Sequence, residues 1–295
     1  MYVKDALEMK KRKDGREIKF PISIDFIIYY YPIWSPKTVM TLINHIHLNN
    51  MDLYKTQLFL LHFAGGSSYS YDFLSEYLKD HFDFHALELP GRGKRHREKL
   101  LKNKEECIQD YLSQIRKLRN GAPFILYGHS MGATLGLSVA KKLEVEGDFP
   151  DYLVVSGNSG PDKIEPDERY STAPKRYLMS DKDFKQELIE LGGVTMEVLG
   201  NEELYNFFSP IMRADFEVLE KDCATTKNLK INAPIYALMG SMEKTSREIE
   251  NWKNFTCSDF QNEILKGNHF FIQQHAETLA DIMVECSRKK SFIKI

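Results

Sequence analysis

Pro123-Phe124-Ile125-Leu126-Tyr127-Gly128-His129-Ser130-Met131-Gly132 decides how the rest of the chain is read. A run of apolar residues of strand length ends in G-x-S-x-G, and a helix-like segment, Met131 to Glu146, follows at once. That order, strand then sharp turn then helix, is the context in which a serine is pushed out as a nucleophile. Gly128 and Gly132 supply the small residues such a turn needs, since a side chain at either place would strike the neighbouring strand or helix. Ser130 then presents its hydroxyl at the carboxyl edge of a sheet and the amino end of a helix. There the N–H of Met131, one of the unpaired first-turn donors, is free to hold an oxyanion. The plainer alternative is a Gly-Ser turn before an ordinary amphipathic helix, and the flanking segments favour the nucleophile.

Outward from this turn, strands and helices alternate. Upstream lie a strand at Gln57–His62, a helix at Tyr71–Lys79, a strand at Phe82–Leu89 and a helix at Lys102–Arg119. In that helix Ile108, Tyr111, Leu112, Ile115 and Leu118 are spaced for one buried face. Downstream, Leu135, Val139 and Leu143 make a helical stripe, Gly147 ends the helix, and Tyr152–Ser156 is the next strand. The pattern predicts an α/β fold with a mostly parallel central sheet covered on both faces.

Between about 161 and 229 the alternation stops. This charged stretch carries a predicted helix at Asp181–Leu191, capped by Ser180 or Asp181 and closed by Gly192-Gly193, and another at Asn201–Asp222 interrupted at Pro210. An insertion at this point is expected to cover the active-site edge as a helical lid, the alternative being a plain surface subdomain. Strand, helix, strand and helix then resume at Pro234–Met239, Arg247–Asn254, Gln261–Leu265 and Phe270–Cys286.

Composition narrows the possibilities. The chain has 295 residues, 42% hydrophobic and 28% charged, with a net charge of -2. Such a balance argues against a nucleic-acid binder. Its four cysteines, Cys107, Cys223, Cys257 and Cys286, form no C-x-x-C pair and suit free thiols of a cytoplasmic protein rather than a disulfide frame or a metal site. No segment is long and apolar enough to span a bilayer. Residues 1–50 read as an extension of unknown role, with a basic cluster at Lys10–Lys13 and a short strand near Ile24–Tyr31. Pro21, Asp25 and Pro32 weigh against a signal peptide there. The patterned domain covers 51–295, and Met51 stands at its start.

A serine nucleophile needs a base, and the base needs an orienting carboxylate. With the chain order Ser, acid, His, two histidines follow the lid, His269 and His275. His269 follows a strand and opens the last helix, where a base can reach back over the sheet edge. His275 falls inside that helix. The acid is expected at Glu243, in the loop after Pro234–Met239. Asp259 is the alternative, but it precedes a strand and belongs to the opposite edge. The second oxyanion donor is expected from Phe63-Ala64-Gly65-Gly66, through the N–H of Ala64.

From about Gln57 onward the chain resembles the type II thioesterases of nonribosomal-peptide and polyketide synthesis, members of the α/β-hydrolase superfamily. The resemblance rests on Phe63-Ala64-Gly65-Gly66, Leu89-Pro90-Gly91-Arg92, Gly128-His129-Ser130-Met131-Gly132, Leu191-Gly192-Gly193, Met212-Arg213-Ala214-Asp215-Phe216, Gly240 with an acid three residues on, Trp252, and His269-Phe270-Phe271. It implies release of acyl groups from the phosphopantetheine arm of carrier proteins, clearing mis-primed or stalled synthases. The enzyme would act as a monomer, with no metal or bound cofactor, phosphopantetheine being part of the substrate. His62 in place of the usual proline, Glu243 in place of aspartate, and residues 1–50 depart from the family pattern. Alternatives are a medium-chain fatty-acyl thioesterase, a small-ester esterase, or a catalytically silent homologue that only binds carrier proteins.

Overall fold

The computed structural model describes residues 55–161, 175–221 and 229–289, together with two short strands near the amino terminus. The chain divides into two units, Met1–Tyr54 and Lys55–Ile295. In the first, Lys10–Lys11 pairs antiparallel with Glu17–Ile18. The strand expected near Ile24–Tyr31 and the start expected at Met51 lie outside the described residues, as do 162–174 and 222–228 within the expected lid.

In the second unit six strands form one sheet. They are β1 (Gln57–Leu61), β2 (Asp83–Ala86), β3 (Phe124–His129), β4 (Tyr152–Ser156), β5 (Ile235–Gly240) and β6 (Phe260–Leu265). Their spatial order is β2-β1-β3-β4-β5-β6, and every pairing is parallel. The strand predicted over Phe82–Leu89 pairs only over Asp83–Ala86, because beyond it the chain turns away from β1 into the Pro90-Gly91-Arg92 loop.

Side chains alternate between the two faces, as a pleated strand requires. Phe59, Leu61, Phe124, Leu126, Leu153 and Val155 pack under α2 (Lys104–Leu118) and α3 (Met131–Val145), joined by the 3₁₀ segment Ser246–Phe255. Leu58, Leu60, Ile125, Tyr127 and Val154 pack under α1 (Asp72–Leu78) and α7 (Ala276–Arg288). β3 and β4 are buried along their whole length, so they read as apolar runs rather than alternating ones. α2 starts where the Asn103 side chain accepts the N–H groups of Glu105 and Glu106. It buries Ile108, Tyr111, Leu112 and Ile115 but leaves Leu118 exposed, because the stripe has rotated off the sheet by the last turn. α3 buries Leu135, Val139 and Leu143 and closes at Gly147, whose φ of +86° suits glycine.

The described part of the insertion is helical: α4 (Asp181–Leu191), α5 (Met196–Gly200) and α6 (Glu202–Glu220). The Ser180 hydroxyl caps α4 and Gly192 ends it with a φ of +75°. Pro210 does not interrupt α6, which continues through it. The proline leaves one carbonyl a turn earlier without its usual donor, yet the helix is held by its own apolar stripe. Tyr205, Met212 and Phe216 pack with Phe184, Leu188 and Leu199 into a small core separate from the two beside the sheet. The final helix also differs from expectation. Phe271–Gln273 is a 3₁₀ turn, and α7 begins only at Ala276. No described helix is long and apolar enough to cross a membrane.

Candidate active site

β1 and β3 lie side by side, and both end at the same edge, with Leu61 opposite Gly128. At that edge Ser130 has φ 55°, the one positive φ at a non-glycine among the described residues. For an L-residue this is a strained conformation, and here it is enforced on both sides. A Cβ on Gly128 would stand 2.2 Å from the backbone of Gly132. One on Gly132 would stand 2.0 Å from the carbonyl oxygen of Leu61. The Ser130 N–H donates to the carbonyl of Ser156 at 2.8 Å, which ties the turn to β4. Met131 opens α3, so its N–H belongs to the first turn that lacks helical partners.

The chain leaving β1 forms a tight turn over Phe63–Gly66, closed by the Gly66 N–H donating to the Phe63 carbonyl at 2.9 Å. Gly65 sits at φ +79°, the position of a type II turn that favours glycine. The ring of Phe63 lies 5.8 Å from that of His129, so the turn flanks the elbow. His62, in the place of the family's usual proline, is buried and sends Nδ1–H to the Phe63 carbonyl at 2.9 Å. Burial, and then the nearby Arg92 guanidinium, push its pKa down to about 4, which keeps the imidazole neutral.

His269 and Glu243 meet across the loops after β6 and β5. The His269 Nδ1–H donates to Glu243 Oε2 at 2.7 Å, since an ionised carboxylate only accepts. The other carboxylate oxygen accepts the Gly240 N–H at 2.7 Å. Both oxygens of the longer glutamate are thus engaged, which fixes a side chain one methylene longer than the family's aspartate. The His269 ring lies 4.9 Å from that of His129, the residue just before Ser130. His129 itself is buried and shares a hydrogen bond of 2.9 Å with the Ser156 hydroxyl. Burial first, and His269 second, hold its pKa well below the ordinary value.

Ser130, Met131, Ala64, His269 and Glu243 therefore gather at one edge of the sheet. Asp259 does not. Its carbonyl accepts the Ile235 N–H at the start of β5, a strand's length from Gly240. His275 is the residue before α7 rather than inside it, and its Nε2 faces the Lys266 carbonyl at 2.7 Å. His269 lies in the loop ahead of the 3₁₀ turn, not at the start of the last helix.

The helical insertion touches this edge through Met212 and Gly193. Met212 of α6 lies against Gly65, where a Cβ would stand 2.8 Å from its Cγ. Gly193 lies against Phe270, next to His269. A third contact is the buried pair of Arg92 with Asp215. The partners stand 123 positions apart, and no local period or spacing marks two such residues. Both fall in blocks that carry the family resemblance, Leu89-Pro90-Gly91-Arg92 and Met212-Arg213-Ala214-Asp215-Phe216.

The family model described as Thioesterase domain matches residues 56–286. The gramicidin S biosynthesis protein GrsT of Aneurinibacillus migulanus is 28% identical over 236 residues, covering 78% of this chain and 88% of that protein. A Streptomyces griseus protein described as "Probable cadicidin biosynthesis thioesterase" is 27% identical over 217 residues, 73% of this chain, and the match spans 58% of that relative's length. The solved structure of the type II thioesterase BorB, from the borrelidin biosynthetic cluster, superposes with a TM-score of 0.69 at 30% identity, covering 79% of this chain and 92% of that one.

Proposed function

This chain belongs to the thioesterase-domain family, among its type II thioesterases, and on that premise we propose that it releases acyl groups from the phosphopantetheine arm of carrier proteins. The observation that carries the proposal is the contact of His269 with Glu243, set against the strained turn that holds Ser130. With Nδ1–H committed to the carboxylate, Nε2 is left as the basic nitrogen. Ser130 Oγ attacks the thioester carbonyl as its proton passes to Nε2. The carbonyl oxygen becomes an oxyanion, held by the N–H groups of Ala64 and Met131. Collapse breaks the C–S bond, and the imidazolium returns its proton to the departing thiolate. Water, deprotonated by the same nitrogen, then hydrolyses the acyl-enzyme and frees Ser130. Glu243 stabilises the imidazolium in both halves. Every step uses groups of this chain, and phosphopantetheine enters with the substrate.

The gramicidin, cadicidin and borrelidin relatives support a synthase as the source of the acyl group, with mis-primed or stalled carriers as the substrates cleared. Free thiols at Cys107, Cys257 and Cys286 fit work in the cytoplasm, where such thiols stay reduced. The test is turnover of a panel of acyl-carrier proteins by the purified full chain, against the same acyl groups on CoA. A higher kcat/KM on carriers is expected, because contact remote from the thioester can raise the rate at the reacting centre. Equal values on carrier and CoA would remove the carrier from the proposal. Activity confined to medium-chain fatty acyl groups or to oxygen esters would replace the substrate class. No turnover, together with no labelling of Ser130 by a fluorophosphonate, would leave a silent homologue.

A further inference from the structure

Gly65 is gripped from the lid. Asp215 of α6 is fully buried, and its Oδ2 accepts the Gly65 N–H at 2.7 Å. The same carboxylate is paired with Arg92 through both oxygens, at 2.6 and 2.8 Å. Arg92 Nη1 also donates to the Gly66 carbonyl at 3.3 Å. Burial pulls the Arg92 guanidinium down, and Asp215 more than offsets that by charge and hydrogen bonding, so its pKa ends above the usual range. Met212, one turn before Asp215, packs on the same glycine.

Two neighbouring donors of this turn have partners of their own. The Gly66 N–H goes to Phe63, and the Ser68 N–H goes to Glu88 at 2.9 Å. The Gly65 N–H belongs to the middle peptide of the turn, and rotation of that peptide interconverts turn types. A trans peptide holds its N–H and C=O on opposite sides, so a flip would bring the Ala64 carbonyl towards Asp215 in place of an N–H. A carboxylate cannot accept from a carbonyl. Asp215 therefore selects one orientation of the Ala64–Gly65 peptide and restrains the adjoining Phe63–Ala64 peptide, which carries the Ala64 N–H.

We propose that Asp215 is a positioning residue for the oxyanion hole: the lid helix, through a carboxylate charge-balanced by Arg92, aligns the Ala64 N–H. Lid docking and a competent oxyanion turn are then one event. This rests on the assignment of Ala64 and Met131 as the oxyanion donors.

Asp215→Ala strands the Arg92 charge in the interior and is expected to disrupt folding, so paired variants of the full chain carry the test. Arg92→Met with Asp215→Leu removes both charges and the acceptor while keeping bulk. Arg92→Met with Asp215→Asn removes the charges but keeps a side-chain oxygen for the Gly65 N–H. Relative to wild type, the leucine pair should lose about 10²-fold in kcat, the scale of one lost oxyanion donor, with KM nearly unchanged. Its affinity for a trifluoromethyl ketone analogue of the acyl group, which forms a tetrahedral adduct with serine, should fall in parallel. The asparagine pair should recover about tenfold or more in both measures. Equal kcat and equal ketone affinity in two cooperatively melting pairs would overturn the proposal, as would a change confined to KM. Normal wild-type turnover and Ser130 labelling with no difference between the pairs defeats only this inference. A wild-type protein inactive on all thioesters defeats the thioesterase proposal with it.

Discussion

At the elbow, backbone is held against backbone; in the lid, side chains do the holding. Gly128 meets Gly132, and Gly132 meets the Leu61 carbonyl, at distances no Cβ could enter. The lid packs Phe184, Leu188, Leu199 and Tyr205 into its own core and reaches the sheet domain through Met212, Asp215 and the Gly193–Phe270 contact. Backbone contacts inside a sheet cannot yield without breaking the ladder, whereas side chains on a separate small core can shift and repack. The proposed nucleophile is thus held by backbone, and the helical insertion by side chains. Substitutions should separate the two regions sharply.

The largest effect belongs to the elbow's purpose. Ser130→Ala should lower thioester turnover by at least about 10⁴-fold while the melting temperature stays within a few degrees, because the hydroxyl is the proposed nucleophile. Circular dichroism melts beside a thioester assay check both halves. Near-normal turnover in a folded variant would end the assignment. Glu243→Gln should follow, with a loss of about 10²- to 10⁴-fold in kcat and little change in KM, the upper end being that of a protease whose leaving group is harder to expel. Glu243→Asp should retain more. Asp259→Asn, at the far end of the sheet, should be neutral in the same assay.

Gly128→Ala tests the rigid side of the comparison. Its Cβ would meet main-chain atoms at 2.2 Å, and no rotamer relieves that. A loss of more than about 3 kcal/mol, or failure to fold, is expected in urea unfolding.

His62 gives the same edge a pH dependence. The folded chain holds its pKa at about 4, below the ordinary 6.5, so between these values the unfolded chain binds more protons. Stability present above pH 6.5 is therefore lost as the pH falls towards 4, by up to about 3 kcal/mol at this residue. His129, lowered in the same direction and also buried, adds to the trend. Urea midpoints for wild type and His62→Gln across this window should converge as the pH falls. A constant gap would show that His62 does not titrate on unfolding.

How far the sequence could be read follows from the same division. Backbone constraints are local, so Gly128-His129-Ser130-Met131-Gly132 and the strands around it were visible in short windows, and His269 and Glu243 are found in contact after strands that were placed correctly. Glu243 is preferred over Asp259 on edge alone, because Asp259 precedes a strand and chain order admits both. Side-chain constraints leave no such mark. Pro210 suggested a break that tertiary packing overrode, since the Tyr205–Phe216 stripe holds α6 on both sides of it. The short α5 lies between helices with no strong pattern of its own. Arg92 with Asp215 is a meeting of distant segments, and the delayed start of α7 reflects the 3₁₀ turn beneath His269.

Gly193→Ala is the smallest and most telling change. Its Cβ would come within 2.1 Å of Phe270 Cε2, as short as the contact at Gly128. The obstacle here is the far edge of a ring, and Gly193 has no positive φ to add strain. Phe270 can give way only by tilting against Phe63, at 5.0 Å between ring centres, and His269, at 5.2 Å. The cost in stability should stay near 1 kcal/mol, the low end for overpacking, because the partly exposed Phe270 ring can tilt aside. Turnover should fall further than that figure suggests, by about tenfold, because the displaced ring flanks His269, the proposed base, and a small misplacement there is felt in the rate. Two equally short contacts should thus give one variant that hardly folds and one that folds but works poorly. If Gly193→Ala melts as badly as Gly128→Ala, the lid is as unyielding as the elbow and the two regions do not differ in the way their contacts imply.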